Sequence, residues 1–279
     1  MIGAGAQRTE YPALRIFFKT IVARAYPRVM AANRQKTWLF FDMAFPVVGA
    51  LAMVLVYEGL HAPRQYLGFV VMGGAMLAFW QNVLWSMAAQ FSWDRGNGTL
   101  ELYVISPTTF EGVLLGMALG SMFTVTSRAV VILVLGSLLF GVTYAAAGTL
   151  PAIGVFLLTL SALYCLGMLL ASLFLFYGRE AWHLSNAMQE PVNFLSGLYF
   201  PVHALGAYVG GAASLVPMTL GLDAMRQLLL PGTPVFIPAG VEALLVAMQV
   251  PIFAVLAGVS LRYMETRARR DGKLVTRWE

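Results

Sequence analysis

Residues 113–140 read VLLGMALGSMFTVTSRAVVILVLGSLLF, and their only charge is Arg128. A helix needs about 20 consecutive, largely apolar residues to cross the hydrocarbon core of a bilayer. Inside lipid the backbone must satisfy its own N–H and C=O groups, which a helix does. The stretch therefore predicts a transmembrane helix. Working outward, the same reading finds spans over 39–57, 67–90, 151–176, 181–200 and 241–261, of which the fifth is short and polar at its start.

Composition points the same way. Hydrophobic residues make up 59% of the chain and charged residues 11%, whereas a soluble domain carries about a quarter charged residues. So few charges cannot cover a soluble protein of 279 residues. No Ser/Gly/Pro linker or low-complexity run divides the chain, so one integral membrane domain is expected. The N-terminus, MIGAGAQRTE, lacks the basic-then-apolar order of a cleavable leader. Cys165, the single cysteine, lies in an apolar run and reads as packing. The net charge of +5 does not form one patch, which argues against nucleic acid as a partner.

The basic residues instead flank the apolar runs. Arg8, Arg15, Lys19, Arg24, Arg28, Arg34 and Lys36 precede the first span, and Arg262, Arg267, Arg269, Arg270, Lys273 and Arg277 come after the last. Arg95 and Arg179 fall in the second and fourth connections, on that same side. Only Arg64 and Arg226 fall on the other side. The positive-inside rule then puts both ends in the cytoplasm. The expected fold is all-α and polytopic, with six transmembrane helices. Residues 1–36 form a cytoplasmic tail and interfacial helix, 37–263 the membrane domain and 264–279 a basic cytoplasmic tail.

Before the first span, Leu14, Phe17, Phe18, Ile21 and Ala25 recur at helical spacing, with Arg15, Lys19, Arg24 and Arg28 on other faces. That pattern predicts an amphipathic helix on the inner surface, cations towards lipid headgroups. Residues 201–238 are apolar but broken by Gly206, Gly210, Gly211, Pro217 and Gly221. Such segments tend to be re-entrant or interfacial, and short helices dipping in from outside are expected there.

Several chemistries have no carrier. There is no GxxxxGK[ST] loop, since Gly272-Lys273 lacks the upstream glycines. There is no HExxH, no CxxC and no intramembrane carboxylate cluster, so catalytic and metal-binding residues are not expected. Ser196-Gly197 with His183 and His203 could belong to an intramembrane serine protease. A Ser-Gly pair inside a span is more often a packing contact.

The connection DRGNGTLELYVISP, residues 94–107, is the most informative one. It resembles the second cytoplasmic segment of type-2 ABC export permeases: an acidic residue, GTLE, then a short helix ending in Ser-Pro. Gly98, Thr99, Leu100, Glu101, Ser106 and Pro107 carry that likeness. NFLSGLYFPVHALG, residues 193–206, is similar to the family's SG-aromatic-aromatic-P stretch. VPMTLGLDAMRQLLLPG, residues 216–232, is similar to its Pro-x-Thr segment and Arg-containing helix. Gly206 stands where the family usually has Pro, and Asp94 where glutamate is commoner.

The resemblance implies a subunit without catalytic activity of its own, in the plasma (bacterial inner) membrane. It implies two copies of a separate ATPase holding ATP and Mg, and a second permease copy or paralogue. The exported substrate would be lipid-like, drug-like or glycan. The alternative is an integral membrane enzyme or assembly factor without ATP coupling. On physical grounds, Gly96, Gly98 and Pro107 bracket one short helix within a coupling segment, 94–110. Leu100, Tyr103 and Val104 would form an apolar face for a groove on the ATPase, and Glu101 would sit at the helix's positive end.

The intramembrane polar residues complete the candidates. Arg128 costs roughly 2.5–3.5 kcal/mol at mid-span on insertion scales. It either lines the substrate path or has a structural partner, a carbonyl or Glu190, and the structural reading is favoured. Phe79, Trp80, Gln81 and Asn82 in span two, and Asn193, Phe194, Ser196 and Tyr199 in span five, mix aromatic and amide groups as an amphiphile-lined path would. The same residues suit helix contacts.

Overall fold

The computed structural model describes residues 13–34, 36–63, 65–106, 108–177, 181–230, 232–233, 235 and 237–270. These residues are mostly helical, and none of them is in a strand. In chain order the helices are α1 (Ala13–Arg34), α2 (Lys36–Gly59), α3 (Gln65–Gln81), α4 (Gln90–Gly96), α5 (Leu100–Ile105), α6 (Phe110–Phe140), α7 (Thr149–Tyr177), α8 (Ala181–Leu195), α9 (Gly206–Ala213), α10 (Pro217–Leu229) and α11 (Ala239–Arg270). A π-helical turn, Asn82–Ala88, joins α3 to α4, so the two continue as one rod.

Among the described residues four helices are long and apolar enough to cross a membrane: Tyr66–Gly96, Phe110–Phe140, Ala146–Leu175 and Ala239–Ala268. This is the architecture of a polytopic membrane protein. They coincide with the expected second, third, fourth and sixth spans. The first expected span lies in α2, whose described apolar stretch runs from Ala44 to Gly59. The fifth lies in α8, which has only 15 residues.

Sequence chemistry sets the ends of α6. Thr109 precedes it in extended conformation and its hydroxyl accepts from the Gly112 amide at 3.2 Å, satisfying one orphan donor of the first turn. Gly141 closes it in the left-handed region, φ +64°, where glycine has no Cβ penalty. The rod from Tyr66 to Gly96 is the buried centre, with 89% of its apolar window enclosed against 17% for Ala239–Ala268. On α11, Leu244, Met248, Ile252, Val255 and Val259 face outward, as a lipid-covered surface requires.

The described residues of 201–238 include the short helices α9 and α10, and α10 is buried within the protein: residues 217–226 are all enclosed between α3, α7 and α11. Gly221 of α10 permits this approach, since a Cβ there would stand 1.9 Å from Thr159 Oγ1 of α7; Gly73 of α3 likewise makes room for the turn after α8, a Cβ there standing 1.7 Å from the Leu198 carbonyl oxygen.

The amphipathic reading of α1 needs correction. Its apolar residues divide between two faces. Leu14, Phe18, Val22, Tyr26 and Met30 are exposed. Phe17, Ile21 and Ala25 lie on α6, against Gly112, Gly116 and Gly120. Arg24 and Arg28 lie with the second face and point into the protein, not towards headgroups. Hydropathy spacing finds an apolar stripe but not which half of it meets protein.

Candidate functional site

At one end of the buried rod, Asp94 organises a polar junction. Its side chain is buried, and Oδ2 pairs with Arg24 Nη2 of α1 at 3.2 Å. Tyr103 of α5 donates its hydroxyl to the same oxygen at 3.1 Å, and Gln90 Nε2 donates to Oδ1 at 3.0 Å. Thr99 Oγ1 lies 3.1 Å from both Oδ1 and the Asp94 carbonyl, and the Thr99 amide donates to that carbonyl at 2.8 Å. Arg24 also sits over the Tyr103 ring, 5.1 Å from its centre, while Arg28 reaches Gln90 at 3.4 Å. One carboxylate thus ties α1, α4 and α5 together. Burial, and then the Asp94 carboxylate, push the Tyr103 phenol up, so it remains a neutral donor. Burial, and then the like charge of Arg24, lower the pKa of Arg28. Beside the junction, Arg95 donates to the Leu175 carbonyl at the end of α7.

The expected coupling residues sit at this junction. Gly98 turns the chain at φ +71°, a conformation that favours glycine, and its amide donates to Arg95 O at 3.1 Å. Thr99 precedes α5, and Glu101 lies in its first turn. Ser106 ends it, its hydroxyl 2.8 Å from Thr108 Oγ1. Pro107 lies outside the described residues.

The expected docking face is corrected. Leu100 is 0% exposed and belongs to the core, and Tyr103 is turned onto Asp94, so neither can fill a partner's groove. Among the described side chains of α5, those presented outward are Leu102 and Ile105, 56% and 80% exposed, and the Val104 side chain lies outside the described ones. A six-residue helix has two faces, and the strong polar anchor at Tyr103 decides which one is inward.

The expected substrate-path residues are only partly brought together. Phe79 packs edge-on against Phe156 of α7, Trp80 is fully buried, and Asn82 donates to Ser121 of α6 at 2.9 Å. These three are internal helix contacts. Gln81 is different. With Tyr199, Phe45 and Pro46 it lines a cavity of about 290 Å³ between α2 and α3. Tyr199 is fixed there because its carbonyl accepts from Tyr57 at 2.8 Å. Phe194 is exposed and Asn193 half-buried. Ser196 is buried with its hydroxyl donating to Val192 O one turn back, as a packing serine does. Arg128 is half-buried on α6 and engaged by a neighbour, whereas Glu190 is exposed on α8.

Two features escaped the sequence reading. The first is the π turn, where the Ala89 amide reaches Leu84 O, five residues back, at 3.1 Å. Such turns interrupt helices frequently at functional sites. This one also aims Trp85, whose indole donates to Gln189 of α8 at 2.8 Å. The second is Arg226 of α10, which is 0% exposed. Its guanidinium donates to Gly197 O at 2.5 Å, Leu198 O at 2.6 Å and Phe69 O at 2.8 Å, with its centre 4.3 Å from the Phe69 ring. It latches the chain after α8 to α3. Its signal was an arginine inside an apolar, Gly-broken segment, which counting charges by side treated as a topology marker. The chain matches no protein-family model and no curated protein.

Proposed function

We propose that the chain is the membrane-spanning permease subunit of an ATP-driven ABC exporter. In this reading it has six spans, α2 and α8 supplying the first and fifth, and both ends are cytoplasmic in the plasma membrane. It pairs with a second copy or paralogue and with two copies of a separate ATPase, where ATP and Mg are held. Residues 201–238 form a re-entrant outer segment, and a lipid-like, drug-like or glycan substrate moves by alternating access.

The observation that carries this is α5. It is a short helix after the buried rod, presenting Leu102 and Ile105 outward while Leu100 and Tyr103 anchor it inward. An ATPase groove holding those two side chains could push or pull α5. The Asp94 junction would pass that motion to α1 and to the rod, and the π turn would pass it on through Trp85 to α8. The cavity shared by Gln81 and Tyr199 lies along that route and is the favoured substrate contact.

The test is co-purification of the ATPase with wild type and with Leu102→Asp/Ile105→Asp, alongside transport into vesicles. Anchors in a docking groove cost about 2 kcal/mol or more each on truncation, roughly thirtyfold in affinity. The double variant should insert normally, lose the ATPase and lose transport. A wild-type chain that never holds an ATPase, or a double variant that transports fully, would return the chain to the enzyme or assembly-factor class.

A further inference from the structure

α6 and α7 follow each other in the chain yet scarcely touch, and between them, α3 and α10 lies a cavity of about 240 Å³. Its floor is buried, built from Met72, Met76 and Phe79 of α3 and Met225 of α10. Its rim is exposed: Thr126 and Val130 on α6, Thr149 and Ile153 on α7. The cavity therefore opens sideways, through the gap between α6 and α7. Both helices are long and apolar enough to cross a membrane, so the mouth faces lipid. It lies in the later part of α6 and at the start of α7, in the half of the bilayer next to their connection.

No lining side chain is charged, and the two rim threonines are the only polar ones. The Thr149 hydroxyl donates to the Ala145 carbonyl of its own chain segment at 3.4 Å. Water has no site here, because a buried water needs several polar partners. An empty space would strip the floor of the dispersion contacts that a close-packed interior makes, and the medium at the mouth is hydrocarbon. We infer that this cavity binds one acyl chain of a bilayer phospholipid, which enters between α6 and α7 while its headgroup stays outside. Size sets the number of chains. An apolar cavity of about 150 Å³ holds benzene, so this one has room for about ten chain carbons, part of one tail and not of two. Methionine is unbranched and adaptable, so Met72, Met76 and Met225 can mould themselves to a chain. A tail already in hydrocarbon gains nothing from leaving water. Contact with the floor and the abundance of lipid fill the site instead. The inference rests on the membrane fold and does not need ATP coupling.

The test places the purified full-length chain in phosphatidylcholine nanodiscs containing a phosphatidylcholine with a diazirine midway along one acyl chain. A sterol carrying the diazirine on its fused rings, which are too bulky for the cavity, is the comparison probe. After photolysis, peptide mass spectrometry locates the label. Met72, Met76 and Met225 are buried from surface lipid, whereas Leu138 of α6 and Val259 of α11 are exposed to it. The acyl probe should label the three methionines as well as Leu138 and Val259, and the sterol only the last two. Ala129 and Ala152 line the cavity from α6 and α7. Ala129→Leu/Ala152→Leu should lower methionine labelling tenfold or more and leave Leu138 and Val259 labelled as before, which shows that the variant inserts. Each single variant should lower it several-fold, and these decide the matter should the double variant not fold. Wild-type methionines left unlabelled, as an empty cavity or a mouth covered by a second copy of the chain would leave them, would overturn the inference. So would equal labelling of the methionines by the sterol, or undiminished labelling in both single variants.

Discussion

Asp94 is the residue on which most local structure depends, and its importance is invisible in linear order. Read along the chain, it is the acidic start of a motif. In space it meets Arg24, 70 positions earlier. Asp94→Asn removes the charge of the pair but keeps the shape. A charge-assisted hydrogen bond is worth about 1.5–3 kcal/mol, and Arg24 then loses its carboxylate. The melting temperature should fall, and α1 should become more sensitive to trypsin while the rod stays inserted. Tyr103→Phe deletes one donor to the same carboxylate, also a hydrogen bond to a charged group, and should cost about 1.5–3 kcal/mol while leaving the ion pair with Arg24 in place. Equal melting of Asp94→Asn and wild type would remove Asp94 from its organising position. Arg226 presents the converse case. Arg226→Met leaves three buried carbonyls to find other donors, at about 1–3 kcal/mol for each left unsatisfied. Arg226→Lys should recover part of that loss, since an ammonium can still reach some of them. Thermal melts of the two variants check the order.

Helices were easier to read than their neighbours. The apolar runs located α3, α6, α7 and α11, because length in lipid leaves few alternatives to a helix. The same runs held a second message that went unread: Gly112, Gly116 and Gly120 recur every fourth residue on α6. That spacing places them on one face, and α1 fills it. A Cβ on Gly116 would come within 2.7 Å of the Ile21 carbonyl oxygen, and one on Gly120 within 2.9 Å of the Ala25 carbonyl oxygen. Gly116→Leu should therefore displace α1 from α6 without touching the lipid face. The expected outcome is a lower melting temperature with faster tryptic cleavage within α1, whereas an exposed-face change such as Val130→Leu should do neither. The π turn had no comparable signal. Residues 82–88 contain neither Gly nor Pro, so only the backbone register reveals it.

At the scale of the whole molecule, the sequence reading of six spans meets its hardest case in α8. Fifteen residues at 1.5 Å per residue cover about 22 Å, short of the ~30 Å hydrocarbon core. Pro191 within it weakens the helix further. In the proposed six-span reading the backbone just beyond α8 makes up the difference: the turn through Leu198 and Tyr199 is held inside the bundle by Arg226 and Tyr57. A short helix continued by protein-buried backbone can complete a crossing, since irregular backbone is tolerated at membrane depth where protein surrounds it. Labelling of single cysteines with an impermeant thiol reagent tests this, in a chain carrying Cys165→Ala. Tyr177 and Tyr208 flank α8, and both are exposed. Tyr208→Cys should react in intact cells and Tyr177→Cys only after lysis. Ala147→Cys should label with the first and Ile105→Cys with the second, Ala147 being preferred to its neighbour because a Cβ on Gly148 would meet the Leu228 carbonyl oxygen at 1.8 Å. If Tyr177→Cys and Tyr208→Cys react from the same side, α8 does not cross. The charge asymmetry would then have to be explained with an odd number of spans, and the two ends of the chain would lie on opposite sides.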